Sequence, residues 1–393
     1  MIRSGSNAIV FCNDDIITRG LMKLGHTKQD ADNYILIGCY EPSTMGCELA
    51  CTCAGYVILP KAVECAMNGG RDMLTGKLIG LPCAASFDDF DAFYREVLRQ
   101  AAHFCEQSMR RIRAYEPYMA LTGASPLLSG SMQCCMESGK DVYEGGAAYN
   151  DTSINLFGIA TATDSLLAVK QLVFEEKRVA FAEMADILRS NWEGQEKLRL
   201  IAKTKAPKYG CGCKDADRLA ADLMARTTAV INGKPNARGG KFRCGGFSID
   251  LRFTYGERCA ASADGRFARE SLSKNMSASD GIGANGVTAM MRSACAIDYT
   301  NLPNGTALDL VLHSSAVSGA DGIPAMEGLV DAFMAMGGFA LQINVLDPSV
   351  LKKAQQDPEK YKNLQVRLCG WNVRFVDLKK HEQDEFIRWS SQS

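Results

Sequence analysis

Residues 364–375, LQVRLCGWNVRF, place a glycine inside a run that is otherwise typical of a β-strand. Gly370 stands between Cys369 and Trp371. Glycine is unfavourable in a strand because it contributes no packing and loses the most backbone entropy on ordering. Two interpretations follow from this segment: a bulge in the strand, or a position where the chemistry needs an α-carbon without a side chain. On this segment alone the bulge is the simpler interpretation, and a chemical role for Gly370 needs support from elsewhere in the sequence.

Composition indicates a globular chain with no nucleic-acid or membrane partner. The chain has 393 residues, of which 47% are hydrophobic, and its formal net charge is −1. No basic excess favours nucleic acid, and no apolar run approaches the roughly 18 residues of a membrane-spanning helix. The N-terminal residues MIRSGSNAIVF lack the pattern of a signal peptide. We therefore expect a cytoplasmic protein built as one compact body.

The chain contains 16 cysteines. Without an export signal they are expected to be reduced thiols, mostly small buried hydrophobic residues, as an oxygen-poor cytoplasm would allow. Close pairs such as Cys51 and Cys53 do not have the Cys-x2-Cys spacing usual for zinc or iron–sulfur ligands. We therefore predict no metal site.

Hydrophobic periodicity predicts an α/β architecture with parallel strands. The clearest helix is predicted to begin after Ser86 as N-cap and to bury one face that reaches Ile112. Further helices are predicted at residues 163–178, 180–190, 214–231 and 324–336. Short strands buried on both faces are predicted at 33–39, 154–160 and 339–346.

A second segment, DNYILIGCYEPSTMG at residues 32–46, places Cys39 two positions before Glu41. In an extended loop such positions point to the same side, so the sulfur and the carboxylate are predicted to face one cavity. An inert buried cysteine and a solvated carboxylate are the alternative interpretations. Each is common alone, but the pair is unusual.

Both segments resemble the glycyl radical enzymes. The family's C-terminal pattern is Arg-Val-x-Gly-Tyr, which this chain matches with Leu and Trp in place of Val and Tyr, at Arg367, Leu368, Cys369, Gly370 and Trp371. The family's active-site loop has the pattern Gly-Cys-x-Glu, which Cys39 and Glu41 match. Stretches such as GKDVYEGGAAYN and ADGRFARESLSKNMSASDG extend the resemblance over essentially the whole chain, in the family's usual order.

The resemblance implies a radical relay without a diffusible cofactor. A radical SAM activating enzyme, acting transiently, would remove a hydrogen from Gly370, and Gly370 would then take a hydrogen from Cys39. The thiyl radical of Cys39 would abstract a hydrogen from the substrate, with Glu41 accepting a hydroxyl proton. It also implies two units, a half-barrel at residues 1–350 with the cysteine loop and a glycyl radical domain at residues 351–393.

The residue after Cys39 narrows the reaction. Tyr40 stands where the pyruvate formate-lyase subgroup has a second cysteine, which argues against that subgroup. Carbon–oxygen lyases and dehydratases acting on polyols fit better, and arylacetate decarboxylases remain the alternative. A non-catalytic spare part that carries the radical is a further alternative.

The length of the chain implies a partner. Familiar family members are about twice this long and form a ten-stranded α/β barrel from two half-barrels. This sequence matches the C-terminal half, which alone would leave strand edges and an apolar interior exposed. We therefore expect a heterodimer with a second subunit that supplies the N-terminal half, although a truncated remnant or a cut piece of a full-length enzyme is the alternative. A split arrangement resembles the two-subunit branch that opens the ring of 1,5-anhydroglucitol 6-phosphate, a sugar phosphate.

Overall fold

A computed structural model describes residues 9–246, 251–279, 285–368 and 370–391, so Cys369 of the glycine motif lies outside the described residues. The described residues form the strands β1 Val10–Cys12, β2 Tyr34–Ile37, β3 Glu41–Thr44, β4 Cys51–Ile58, β5 Thr152–Phe157, β6 Phe242–Gly245, β7 Leu308–His313, β8 Ala340–Leu346, β9 Gln365–Leu368 and β10 Trp371–Arg374. They also form the helices α1 Asp14–Leu24, α2 Lys28–Asp32, α3 Leu59–Met67, α4 Phe90–Tyr115, α5 Met119–Gly123, α6 Pro126–Gly130, α7 Gln133–Ser138, α8 Ile159–Val169, α9 Phe181–Arg189, α10 Glu196–Thr204, α11 Lys214–Ile231, α12 Arg252–Gly256, α13 Val287–Ala294, α14 Gly322–Ala335, α15 Pro348–Gln356 and α16 Lys380–Ser390.

The strands form two small sheets and two hairpins. One sheet has the order β4-β5-β6 with all strands parallel, and the other has the order β1-β8-β7, in which β7 and β8 are parallel and β1 is antiparallel to β8. The hairpins are β2–β3 and β9–β10. The predicted α/β class with parallel strands is therefore confirmed.

The long helix α4 packs the main core against the β4-β5-β6 sheet. Its buried face includes Phe93, Val97 and Ile112, as the periodicity predicted. The predicted N-cap was wrong: Asp89, not Ser86, caps the helix by accepting a hydrogen bond from the amide of Ala92 at 2.7 Å. A carboxylate is as good a cap as a serine and also interacts favourably with the helix dipole. Burial of each large apolar side chain contributes ~1.5 to 3 kcal/mol.

Most of the other predicted elements are present. Helix α11 coincides with the predicted 214–231, and α9 and α14 lie within two residues of their predicted bounds. The predicted helix 163–178 begins earlier, as α8, and continues as a π-helical turn at Lys170–Glu175. Every residue of α8 is buried, so no exposed face marks where the helix begins. No helix of the described residues is long and apolar enough to cross a membrane.

The strand predictions succeeded for two of the three segments. All residues of β5 are buried, and β8 is buried except at Val345. The prediction of a doubly buried strand at 33–39 was wrong, because β2 is a partly exposed strand of a hairpin with β3. A short apolar run cannot by itself distinguish a hairpin strand from a buried parallel strand.

The C-terminal residues pack as a small cluster of their own. Buried side chains from β8, α15, β9 and α16 form it, among them Leu346, Leu351, Val366 and Phe386. A buried ion pair between Arg252 and Glu385 joins α16 to α12. The boundary between residues 1–350 and 351–393 stays a prediction.

Candidate active site

Cys39 lies at the tip of the hairpin β2–β3, which we call the cysteine hairpin. Ile37 pairs with Glu41, so residues 38–40 form the turn. The segment is therefore not extended, and the expectation that side chains alternate through it was wrong. Gly38 has a φ of +67°, and a Cβ there would lie 2.9 Å from Glu41 Oε1. The turn thus needs glycine for both its backbone conformation and its packing.

The carboxylate of Glu41 folds back beneath this turn. Its Oε2 accepts hydrogen bonds from the backbone amides of Cys39 at 2.6 Å and Tyr40 at 2.7 Å. The side chain is buried, and desolvation raises the pKa of the carboxyl, although the amide hydrogen bonds oppose this. A carboxylate with a raised pKa is a stronger base than an exposed one, so this geometry suits a proton acceptor.

Oε1 is the other oxygen of the Glu41 carboxylate. The thiol of Cys53, on β4, donates to it at 3.8 Å. Cys53 is exposed, so the site is open on that side in the described residues. The sequence did not indicate that Cys53 contacts Glu41, because residue spacing does not reveal how β4 is placed relative to the cysteine hairpin.

Gly370 lies in the turn of the hairpin β9–β10, which we call the glycine hairpin. Leu368 pairs with Trp371, so Gly370 lies in the turn between the two strands. The φ of Gly370 is +104°, a conformation that residues with side chains rarely adopt. The bulge interpretation is therefore replaced by a turn between two short antiparallel strands.

The two hairpin tips are in direct contact. A Cβ built on Gly370 would lie 2.5 Å from Cys39 Cβ, 2.6 Å from Cys39 Cα and 2.9 Å from Cys39 Sγ. No side chain fits at position 370 without moving the cysteine. The structure therefore brings the two residues singled out by the sequence into van der Waals contact, with the carboxylate of Glu41 directly behind the cysteine.

The side-chain amides of Gln342 and Asn344 on β8 bond to the hairpins, Gln342 to both and Asn344 to the glycine hairpin. The hydroxyl of Tyr40 donates to Gln342 Oε1, and Gln342 Nε2 donates to the carbonyl of Arg367 at 3.4 Å. Asn344 exchanges two hydrogen bonds with the backbone of Arg367, at 2.9 Å and 3.1 Å. Arg367 in turn donates to the carbonyl of Gly370 at 2.8 Å. Gln342 therefore connects the residue after Cys39 to the strand before Gly370.

These amides were missed by sequence reasoning, although a signal was present. Gln342 and Asn344 are two residues apart in a strand predicted to be buried, so they share a face. Two buried amides on one face must find hydrogen-bond partners, which indicates another backbone nearby.

A buried ion pair supports the strand that follows Glu41. Arg243, which is fully buried on β6, donates to Glu48 Oε1 at 2.9 Å and to the carbonyl of Pro42 at 3.0 Å. Glu48 also accepts from the amide and hydroxyl of Thr44 at 2.6 Å and 2.8 Å. Side chains of Glu48, His26 and Asp151 lie within 4.8 Å of one another, but their hydrogen bonds fix β3 rather than leave open ligand positions.

Family models match nearly the whole chain. The model described as pyruvate formate lyase-like matches residues 1–256, and the model described as glycine radical matches residues 272–376, which include Gly370. This chain belongs to the glycyl radical enzyme family.

Relatives and solved structures agree with this assignment. The chain is 33% identical to (2S)-3-sulfopropanediol dehydratase from Klebsiella oxytoca, over 98% of this chain and 48% of the relative. It is 32% identical to trans-4-hydroxy-L-proline dehydratase from Clostridioides difficile, over 100% of this chain and 50% of the relative. A glycyl radical enzyme structure from Archaeoglobus fulgidus superposes with a TM-score of 0.94 and 33% identity, over 99% of this chain and 50% of that chain. The glycyl radical enzyme chain thus spans about half the length of the relatives that it matches.

Proposed function

We propose that this chain is the radical-bearing subunit of a glycyl radical carbon–oxygen lyase. The observation that carries the proposal is the contact between Gly370 and Cys39 Sγ, where a Cβ on the glycine would lie 2.9 Å from the sulfur. Hydrogen transfer needs its two atoms in contact, and this geometry supplies it without movement of either hairpin.

The relay begins at the backbone of Gly370. A radical SAM activating enzyme removes one α-hydrogen atom from Gly370, and the flat α-carbon radical is stabilised by the two flanking amides. Gly370 then takes a hydrogen atom from the thiol of Cys39. The thiyl abstracts a hydrogen atom from a substrate carbon that carries a hydroxyl, and the product radical later recovers a hydrogen atom from the thiol. Sulfur suits this exchange because its bond to hydrogen is similar in strength to a carbon–hydrogen bond beside oxygen.

Glu41 is proposed as the base. Its carboxylate takes the hydroxyl proton from the substrate radical, and the resulting ketyl expels a leaving group from the neighbouring carbon. Burial raises the pKa of Glu41, which strengthens it as a proton acceptor. Base assistance of this kind contributes roughly 100- to 10,000-fold to a rate.

A hydroxylated substrate is favoured by this chemistry and by the named relatives, which are dehydratases. Loss of water from a polyol is the reaction that we propose first. Ring opening of 1,5-anhydroglucitol 6-phosphate to a deoxyketose phosphate is the specific candidate suggested by the half-length chain. In that reaction hydrogen leaves C2 and the ring oxygen departs from C1.

We propose that a second polypeptide supplies the other half of the barrel, in a cytoplasmic heterodimer. The half-length match to single-chain relatives supports this. The exposed Cys53 beside Glu41 supports it too, because a radical site has to exclude water and this side of the site is uncovered.

The proposal is tested by anaerobic activation of the chain with its companion polypeptide and a radical SAM activating enzyme. We expect a doublet electron paramagnetic resonance signal that is absent from Gly370→Ala. Exposure of the activated protein to air should cleave the chain at residue 370, as mass spectrometry would show. A signal of equal intensity from Gly370→Ala would place the radical elsewhere and refute the proposal.

A further inference from the structure

A polar cavity of about 410 Å³ lies apart from the two hairpins. It is bounded by the first turns of α8, residues 203–208, the segment 264–279 and the C-terminal helix α16. None of its lining residues belongs to the cysteine hairpin or the glycine hairpin. Cavities of this size hold small molecules in other proteins.

Lys208 is the central cation of the cavity. It is 7% exposed, so more than nine-tenths of the residue is buried, and it lines the cavity wall. Within the described ranges, its ammonium makes one hydrogen bond, a long one of 3.4 Å to the carbonyl of Asp264. An ammonium carries three donors, and a buried charge without partners is costly. The unfilled donors of Lys208 therefore indicate a missing acceptor.

Nearby carboxylates of the described residues do not accept a hydrogen bond from Lys208, although its charge opposes the rise in the pKa of Asp164 that burial causes. Asp164 is fully buried, but its oxygens accept from the amide of Tyr209 at 2.8 Å and from the hydroxyl of Ser279 at 2.9 Å. Burial also raises the pKa of Asp164 to about 7, so its negative charge is partial near neutral pH. Asp264 Oδ1 accepts from the hydroxyl of Ser262 at 2.6 Å, within its own loop.

The rim adds positive charge from two separate elements. Lys203 on α10 and Arg388 on α16 both line the cavity and are exposed at its mouth. Glu270, also on the wall, accepts a hydrogen bond from the amide of Phe267 at 2.9 Å and so belongs to its own turn. A ligand that contacted Lys208 and Arg388 together would join the body of the protein to α16.

We propose that this cavity binds a small phosphate group, with Lys208 as the buried cation and Lys203 and Arg388 at the rim. Oxyanions accept several charge-assisted hydrogen bonds at once, which matches a buried ammonium with unused donors and two further cations. Binding fastens α16, which follows the glycine hairpin, to the body of the protein. The phosphate group comes either from free phosphate or from a small phosphate monoester.

Calorimetric titration of the purified chain at constant ionic strength tests the site. Inorganic phosphate and glycerol 3-phosphate are the two probes. We expect saturable binding of at least one probe, weakened at least about tenfold in Lys208→Gln, which removes a charge-assisted hydrogen bond. Lys205→Gln is the matched control, because Lys205 is exposed on the same segment and does not line the cavity.

The same titrations distinguish the two sources. Tighter binding of glycerol 3-phosphate supports a phosphate monoester, and equal or tighter binding of inorganic phosphate supports the free ion. Hydrogen exchange adds a second readout: phosphate should slow exchange of the α16 amides in the wild type and not in Lys208→Gln.

A second variant at the exposed rim residues keeps the proposal testable if the buried Lys208 cannot be replaced. If Lys208→Gln does not fold, the double variant Lys203→Gln/Arg388→Gln should weaken binding in its place. Absence of saturable binding of both probes to the wild type would overturn the proposal. Equal affinities of wild type, Lys208→Gln and the double variant would overturn it as well.

Discussion

The cysteine hairpin and the glycine hairpin meet at their tips but are anchored in different ways. Strand β3 of the cysteine hairpin is buried along its whole length and is held by the Arg243–Glu48 ion pair. Strand β10 of the glycine hairpin has exposed residues, among them Trp371, and its cluster is separate from the main core. Side-chain amides of Gln342 and Asn344 on β8 donate to the carbonyl of Arg367 on β9, the other strand of this hairpin.

This difference makes Cys39 the more firmly held residue and Gly370 the more lightly held one. Removing one partner of a buried ion pair costs about 3 to 5 kcal/mol, whereas a neutral hydrogen bond contributes about 0.5 to 1.5 kcal/mol. At its direct contacts with β8 the glycine hairpin is therefore the more lightly held of the two, and the buried Arg252–Glu385 pair holds the helix α16 that follows it. Under the proposed function, the activating enzyme would have to reach Gly370 on the lightly held hairpin, whereas Cys39 on the rigid hairpin would meet the substrate.

Cys39→Ser gives the largest expected effect. The variant should keep the doublet signal at Gly370 but lose turnover completely, because an oxygen–hydrogen bond is too strong to pass its hydrogen to the glycyl radical. Electron paramagnetic resonance and product analysis on one activated sample check both outcomes. The control is Cys134→Ser, which should keep full turnover because Cys134 packs in a separate small cluster with Leu49 and Tyr143. Turnover by Cys39→Ser would remove Cys39 from the relay.

Glu41→Gln comes next. We expect the radical to persist while product formation slows by roughly 100- to 10,000-fold, the usual contribution of a positioned base. Exposed Glu137 supplies the control, since Glu137→Gln should leave the rate unchanged. An unchanged rate in Glu41→Gln would show that the base lies elsewhere.

Gln342→Leu breaks the connection between the hairpins while keeping a buried side chain of similar size. A misplacement of about 1 Å at a reacting pair can cost on the order of 100-fold, so we expect hydrogen transfer between Cys39 and Gly370 to slow by about that factor. The readout is the rate at which the glycyl doublet changes in D2O, as the remaining α-hydrogen exchanges with the thiol. A purely structural role would lower the radical yield and leave that rate unaltered.

The pH dependence of the rate tests the burial of Glu41. Its carboxyl must be ionised to accept a proton, so kcat/KM should fall about tenfold per pH unit below its pKa. Because desolvation raises this pKa, the acid limb should lie above about 4.3, the value of an exposed glutamate. The limb should disappear in Glu41→Gln. A limb at or below the ordinary value would contradict a buried base.

The smallest effect concerns stability. Gly370→Ala and Gly139→Ala both place a side chain at a positive φ, but only the first collides with a neighbour, since nothing lies within 4 Å of a Cβ at Gly139. We expect Gly139→Ala to cost about 1 to 2 kcal/mol and Gly370→Ala to cost more, measured by chemical denaturation. Equal costs would show that the hairpin tips do not touch in solution.

Local sequence patterns predicted much of the fold and little of the contact between the hairpins. Helix α11 was predictable because its hydrophobic pattern extends over most of its length, and β5 because it contains the apolar residues Ile154, Leu156 and Phe157. The hairpin β2–β3 was not, because its register depends on the turn at Gly38 and on the carboxylate of Glu41. Gly370 and Cys39 were found through family motifs, since no local pattern encodes a contact between distant turns. Gln342 was missed for the same reason.

Deuterium exchange of the glycyl radical tests the central claim most directly. The activated protein, moved anaerobically into D2O, is followed by electron paramagnetic resonance, with Cys39→Ala as the comparison. If Gly370 receives its hydrogen from the thiol of Cys39, the doublet should collapse in the wild type and persist in Cys39→Ala. A doublet that persists in the wild type, or that collapses equally fast without the thiol, would contradict the account.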